Sequence, residues 1–295
     1  MYGALAPLVG ALVTIMSGIN SRLSEIVEPV VAVLVVHGTG LVAITVLSLV
    51  RRDKALRGKV PVWQYLGGLV GVATVFSSNY AFSALGASLT MAVALLGQTM
   101  FSIATDATGM LGRTRYPFSV RRVPGIALAL IGVVVMGGHW RLAGPAVLVA
   151  FGAGVSSGLS TVLNAGLGKS KGILHSVRAN YAVGLATALM VAAVIRPSIP
   201  QADSAVAAAG PLLALGGGLI GIVVVATINV IVPRLSVFMF TILMFVGQTV
   251  AGLIMDAIGA GAIDVLKIAG TAILLCGLAL DTFWSRPPRG ASRHV

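Results

Sequence analysis

Charge is scarce in these 295 residues: only 9% are Asp, Glu, Lys or Arg, where soluble domains carry about 25%. With 57% hydrophobic residues and a mean hydropathy of +1.01, the chain holds more apolar sequence than a soluble core can use. A soluble globular domain is excluded, and a polytopic membrane protein is expected. Cysteine is nearly missing. Cys276 stands alone inside an apolar run, so an intramolecular disulfide cannot form and the redox compartment is not encoded. Acidic residues are few as well, 8 against 20 basic ones. The resulting net charge of +12 invites a nucleic-acid reading, but the basic residues are scattered between apolar runs and no aromatic recognition motif accompanies them. Nucleic-acid binding is therefore not expected. The chain also has no H-E-x-x-H, no P-loop and no Cys/His metal spacing, so no metal and no cofactor is expected. Gly154-Val155-Ser156-Ser157-Gly158 matches a nucleophile elbow in letters only, because that elbow needs a preceding strand and triad partners. The chain is read as not an enzyme.

What is present is a series of long apolar runs. About 20 residues cross a ~30 Å hydrocarbon core, and that ruler predicts ten spans: 3–20, 29–50, 63–83, 86–107, 119–138, 143–165, 175–195, 211–232, 235–256 and 264–284. The N-terminus lacks a basic segment, which favours a first spanning helix over a cleaved signal peptide. With a cytoplasmic N-terminus, 16 of the 20 Lys and Arg residues fall on the inner side and only Arg22, Arg141, Arg196 and Lys267 outside. The positive-inside rule thus predicts two cytoplasmic termini and, in a bacterium, an inner-membrane location.

The chain repeats itself. Gly97-Gln98-Thr99 is followed by Asp106-Ala107 and Gly109, and 150 residues later come Gly247-Gln248-Thr249, Asp256-Ala257 and Gly259. Gly67, Gly68, Leu69, Gly71, Val75, Asn79 and Leu85 recur at Gly217, Gly218, Leu219, Gly221, Val225, Asn229 and Leu235, giving 13 identities in 43 positions. Apolar helices match by chance at Ala, Val, Leu and Gly, but not at Asn, Gln, Thr and Asp in one register. A duplication follows, with halves at 1–140 and 141–295. Five spans per half is an odd number, so the halves should be inserted upside down relative to each other. Inverted repeats of this kind characterise secondary transporters, whose site lies near the midplane where the repeats meet.

The candidate substrate-binding residues are polar groups inside the spans. Gln98 and Gln248 are costly in hydrocarbon unless they bond across helices or line a cavity. Asn20 and Asn164 each precede a leucine by three positions, as helix caps or cavity groups. Asn79 and Asn229 occupy matching places on the third and eighth spans, where a buried helix contact is the plainer reading. His37 pairs with Tyr181 by position; a histidine titrates near neutral pH and could couple a proton to transport, or simply hydrogen-bond within the bundle. Asp106 and Asp256 sit near opposite ends of their helices, as a symmetric pair of gates, or as carboxylates that snorkel to the interface or bond a neighbouring loop. The glycines at 67, 68, 71 and 217, 218, 221 form small-residue ridges for close helix approach.

The early Asn-x-x-Leu, the Gly-Gly-x-x-Gly helix with its Asn, Pro233-Arg234-Leu235 and the Gly-Gln pairs resemble the YdcZ family of the drug/metabolite transporter (DMT) superfamily. The resemblance implies an EamA-like all-α membrane fold of ten transmembrane helices, with two five-helix domains fused in one chain. It implies an inner-membrane exporter of a small metabolite or amphipathic compound, working by alternating access. A monomer then suffices and a dimer is compatible. The small multidrug-resistance relatives keep a glutamate in their first helix. None lies in the first span here, so their proton/drug exchange does not carry over. The expected substrate is neutral, zwitterionic or lipid-like; proton coupling stays open, and a lipid flippase or scramblase of the same fold is the alternative.

Overall fold

The computed structural model describes residues 2–54, 56, 58–113, 115, 119–136, 144–197, 199–260 and 264–284. They form ten α-helices and no strand: α1 (Tyr2–Ile26), α2 (Pro29–Val50), α3 (Gly67–Leu85), α4 (Ala87–Thr108) and α5 (Val123–Met136). The second set is α6 (Gly144–Lys171), α7 (Ile173–Ile195), α8 (Ile199–Ile231), α9 (Val237–Ala260) and α10 (Val265–Trp284). Eight helices are long and apolar enough to cross a membrane. The 14-residue α5 and the apolar stretch of α10, Val265–Gly277, are shorter than the rest. At 1.5 Å per residue, α5 reaches only about 21 Å. The boundary between the halves falls on 137–143, outside the described residues.

Local chemistry sets the breaks. Between α3 and α4 lies a single residue, Gly86, with φ 77 and ψ 173, a conformation that costs glycine little. The eighth run extends further back than its apolar core: α8 begins at Ile199 and kinks at Gly210 (φ 79), where Pro211 follows and interrupts the backbone ladder. Helices α1 and α6 also run past the expected ends, so Asn20 and Asn164 lie within them. They are not helix caps.

The repeats interleave. Helix α1 packs on α8 and α9, and α6 packs in the same way on α3 and α4; α2 lies on α8 and α7 on α3. Residues of α1 and α2 recur on α6 and α7 at an offset of 144, while α3 and α4 recur on α8 and α9 at 150. Close approaches follow both offsets. A Cβ on Gly10 would collide with the Met244 carbonyl, and one on Gly154 with the Ala94 carbonyl. Likewise Gly97 lies against the Phe151 carbonyl and Gly247 against that of Pro7. The first glycine ridge abuts Asn164 and Asn180, the second Asn20 and Val36. Apolar cores are shared accordingly: Ala92, Val93 and Leu95 of α4 are buried with Phe238, Ile242 and Phe245 of α9. Helices α5 and α10 pack antiparallel, with Gly132 against Gly270 and Gly125 against Gly277.

Candidate functional site

Eight helices, all but α5 and α10, enclose a cavity of about 160 Å³. The repeat positions place polar groups around it from both halves. Gln98 and Gln248 lie in its wall on α4 and α9, Asn20 and Asn164 on α1 and α6, and His37 and Tyr181 on α2 and α7. Asn79 lines it from α3, but Asn229 does not. Asn229 is buried against Gly168, and neither of its side-chain polar atoms has a partner among the described residues. Seven of the eight sequence candidates thus meet at one place.

Several of these groups are fixed by the protein. Asn164 donates to Ser160 Oγ at 3.1 Å and to Asn180 Oδ1 at 2.9 Å, and Ser160 donates to the Gly67 carbonyl at 2.9 Å. The Tyr181 hydroxyl donates to the Gly218 carbonyl at 2.9 Å. His37 holds Nδ1 at 2.9 Å from the Val33 carbonyl. A carbonyl only accepts, so Nδ1 carries hydrogen. The imidazole ring stands edge-on to Tyr181, with centroids 5.8 Å apart. Asn79 donates to Ser24 Oγ at 2.7 Å. By contrast, the side chains of Ser17, Asn20, Gln98 and Gln248 make no hydrogen bond among the described residues, although each is more than nine-tenths buried. A buried polar group without a partner costs about 1–3 kcal/mol. These four side chains thus stand in the cavity wall with hydrogen-bonding capacity unspent. No Asp, Glu, Lys or Arg among the described residues lines it.

The two aspartates stand elsewhere, in matching roles. The Asp106 carboxylate, at the end of α4, accepts from the backbone of Val237 at 3.3 Å and Phe238 at 3.0 Å, at the start of α9. Asp256, at the end of α9, accepts from Ala87 at 2.8 Å and Ser88 at 3.2 Å, at the start of α4. It also accepts from Ser88 Oγ and pairs with Lys267 Nζ at 2.6 Å. Each carboxylate thus caps the orphan N–H groups of the other half's fourth helix, and α4 and α9 run antiparallel. Of the sequence readings, Asp106 does not reach solvent, being only 3% exposed, and instead bonds the segment that opens α9. Backbone donors from the other repeat replace its water, and no local sequence signal announces them.

The two ends of this pair differ. Beside Asp256 lies a second hollow of about 370 Å³, lined by Arg22, Glu25 and Lys267 among others. At the Asp106 end the Arg113 guanidinium donates to the carbonyls of Val232 at 2.9 Å and Leu235 at 3.0 Å. Sequence comparison of the halves also missed Thr74, Ser78, Ser157 and Asn180 in the cavity wall. Matching identical letters cannot find them, because their counterparts are apolar. The elbow-like Gly154–Gly158 lies inside α6, ten residues past its start and not at a strand-to-helix turn.

Comparison with known proteins supplies the remaining observations. A family model described as "Putative inner membrane exporter, YdcZ" matches the chain twice, over residues 1–135 and 145–280. Among curated proteins nothing matches. One solved crystal structure aligns over 95% of this chain and 96% of its own, with a TM-score of 0.65 at 19% identity. At that identity the likeness shows the fold alone.

Proposed function

This chain belongs to the YdcZ family of inner-membrane exporters, and from that premise we propose that it is a secondary carrier working by alternating access, with the eight-helix cavity as its substrate site. The observation that carries the proposal is the reciprocal capping of α4 and α9. Equivalent helices of two sequence-related halves run in opposite directions. That supports ten spans arranged as inverted repeats, in which exchanging the halves' conformations turns one site from one face to the other.

With both termini cytoplasmic, as the distribution of Lys and Arg predicts, the Asp256 hollow lies outside and the Arg113 hydrogen bonds inside. The hollow beside Asp256 favours reading this conformer as outward-facing. Asp106 and Asp256 act as gates in the sense that each ties one repeat's helix end to the other's, so a face opens by parting that contact. The substrate is small and bears no net charge, since no ionic side chain lines the wall and an unpaired charge out of water is costly. His37 and Tyr181 are the titratable groups in that wall, and His37 is the side chain through which a proton would be coupled.

The test is accessibility from two sides. In a Cys276→Ser background, Thr161→Cys places a thiol in the cavity wall, and a membrane-impermeant maleimide is applied to right-side-out and inverted vesicles. A carrier is labelled from both faces. Labelling from one face only, or from neither, overturns the proposal.

A further inference from the structure

The 144 and 150 offsets assign cavity-wall residues to twofold-related pairs, some alike in character and five that join a polar residue to an apolar one. Gln98 with Gln248, Asn20 with Asn164, and Ser17 with Thr161 are polar on both sides. Five others join unlike residues. Val13 pairs with Ser157, Met16 with Ser160, and Val36 with Asn180. On the remaining helices Thr74 pairs with Val224, and Ser78 with Ile228.

In every one of the five, the polar residue lies on α3, α6 or α7 and the apolar residue on α1, α2 or α8. These are real groupings in space: α3, α6 and α7 pack on one another, as do α1, α2 and α8. The duplication supplied two equivalent walls, and substitution since then has made the α3–α6–α7 wall richer in hydrogen-bonding groups, while the α1–α2–α8 wall keeps Ser17, Asn20 and His37 but is aliphatic at Val13, Met16, Val36, Val224 and Ile228. Part of the difference serves the fold, since Ser160 and Asn180 accept from Asn164. Ser78 and Ser157 make no hydrogen bond among the described residues, and Ser160, which donates to Gly67 and accepts from Asn164, keeps one lone pair.

We infer that the cavity takes an uncharged amphiphile, with a hydroxyl- or amide-bearing head on the α3–α6–α7 wall and a short aliphatic part against Val13, Met16, Val36, Val224 and Ile228 opposite. The inference deepens the carrier reading and rests on the cavity being the substrate site. The volume of about 160 Å³, below the ~300–1,000 Å³ of drug-sized sites, limits the aliphatic part to a short chain. A charged head would find no counter-charge, and desolvating it would cost several kcal/mol.

Binding of three probes to the full chain in lipid nanodiscs tests this, with empty nanodiscs as the blank in calorimetry. Hexanoylglycerol has both parts, glycerol the head alone, and hexyltrimethylammonium the same tail on a charged head. Hexanoylglycerol is expected to bind at least about 10-fold more tightly than either. Ser78→Ile with Ser157→Val, each copying its twofold partner, should weaken it about 10-fold, the effect of two lost hydrogen bonds. Should that double variant fail to fold, Ser157→Ala alone should still weaken it several-fold. Val13→Ser with Ile228→Ser should narrow the gap between hexanoylglycerol and glycerol. Equal affinities for the three probes, or unchanged hexanoylglycerol binding in the serine variants, overturn the inference. Two-face labelling without head selectivity would sink this inference and spare the carrier; selectivity without two-face labelling would do the reverse.

Discussion

At the scale of single residues, two carboxylates with the same sequence neighbours live in different surroundings. Asp106 is enclosed, while the Asp256 side chain keeps 15% exposure beside Lys267. Removing a cap costs about 0.5–2 kcal/mol, and more where water cannot reach the freed N–H groups. Asp106→Ala should therefore lower the unfolding midpoint more than Asp256→Ala does, by several degrees at roughly 2–4 °C per kcal/mol. Melting curves of the two variants in one detergent decide it; an equal drop would mean that burial does not separate the sites. His37 supports a second prediction. Its Nδ1 is committed to Val33, so Nε2 is the atom left to exchange a proton. Beyond the rise in thiolate that every maleimide reaction shows with pH, the labelling rate of Thr161→Cys should carry a further pH dependence from the imidazole, and His37→Asn, which can still donate to that carbonyl, should remove that extra part of the profile. If the extra part survives the substitution, the proton does not travel through this imidazole.

At the scale of helices, glycine decides which surfaces meet. Two glycines on α6 make the contrast. Gly154 sits against the Ala94 backbone, whereas a Cβ on Gly152 meets nothing within 4 Å. Gly154→Ala must push α6 off α4 or distort both helices, an overpacking cost of about 1–3 kcal/mol or more. Gly152→Ala should be neutral or slightly stabilising, because alanine favours the helix by up to about 1 kcal/mol. Size-exclusion profiles and melting points should separate the pair, and similar behaviour of both would contradict the close α4–α6 seam. The Gly67-Gly68 ridge was legible as a place of close approach. What approached it was not: its neighbours, Asn164 and Asn180, come from the other repeat.

At the scale of the whole molecule, the two repeats are not separable bodies. Helix α1 completes its packing on α8 and α9, α6 on α3 and α4, and the largest core draws on both halves. Residues 1–140 or 141–295 expressed alone should be degraded or aggregate, while the two fragments produced together should assemble into a particle with the mobility of the intact chain. Stable, monodisperse single halves would show that the interleaved core is dispensable.

The amino-acid order alone determined the membrane class, the helix number, the duplication and seven residues of the cavity wall, because those rest on composition, local periodicity and identical letters at a fixed offset. Tertiary structure decided the rest. It moved Asn229 out of the cavity, enclosed Asp106 and turned two aspartates into caps for each other's helices. It also revealed a cavity with more hydrogen-bonding groups on one wall than on the other. The caps and the cavity depend on which helix of one repeat lies against which helix of the other, far apart in the chain. No local preference in the chain encodes that distance; only the packing of small residues between the two halves fixes it.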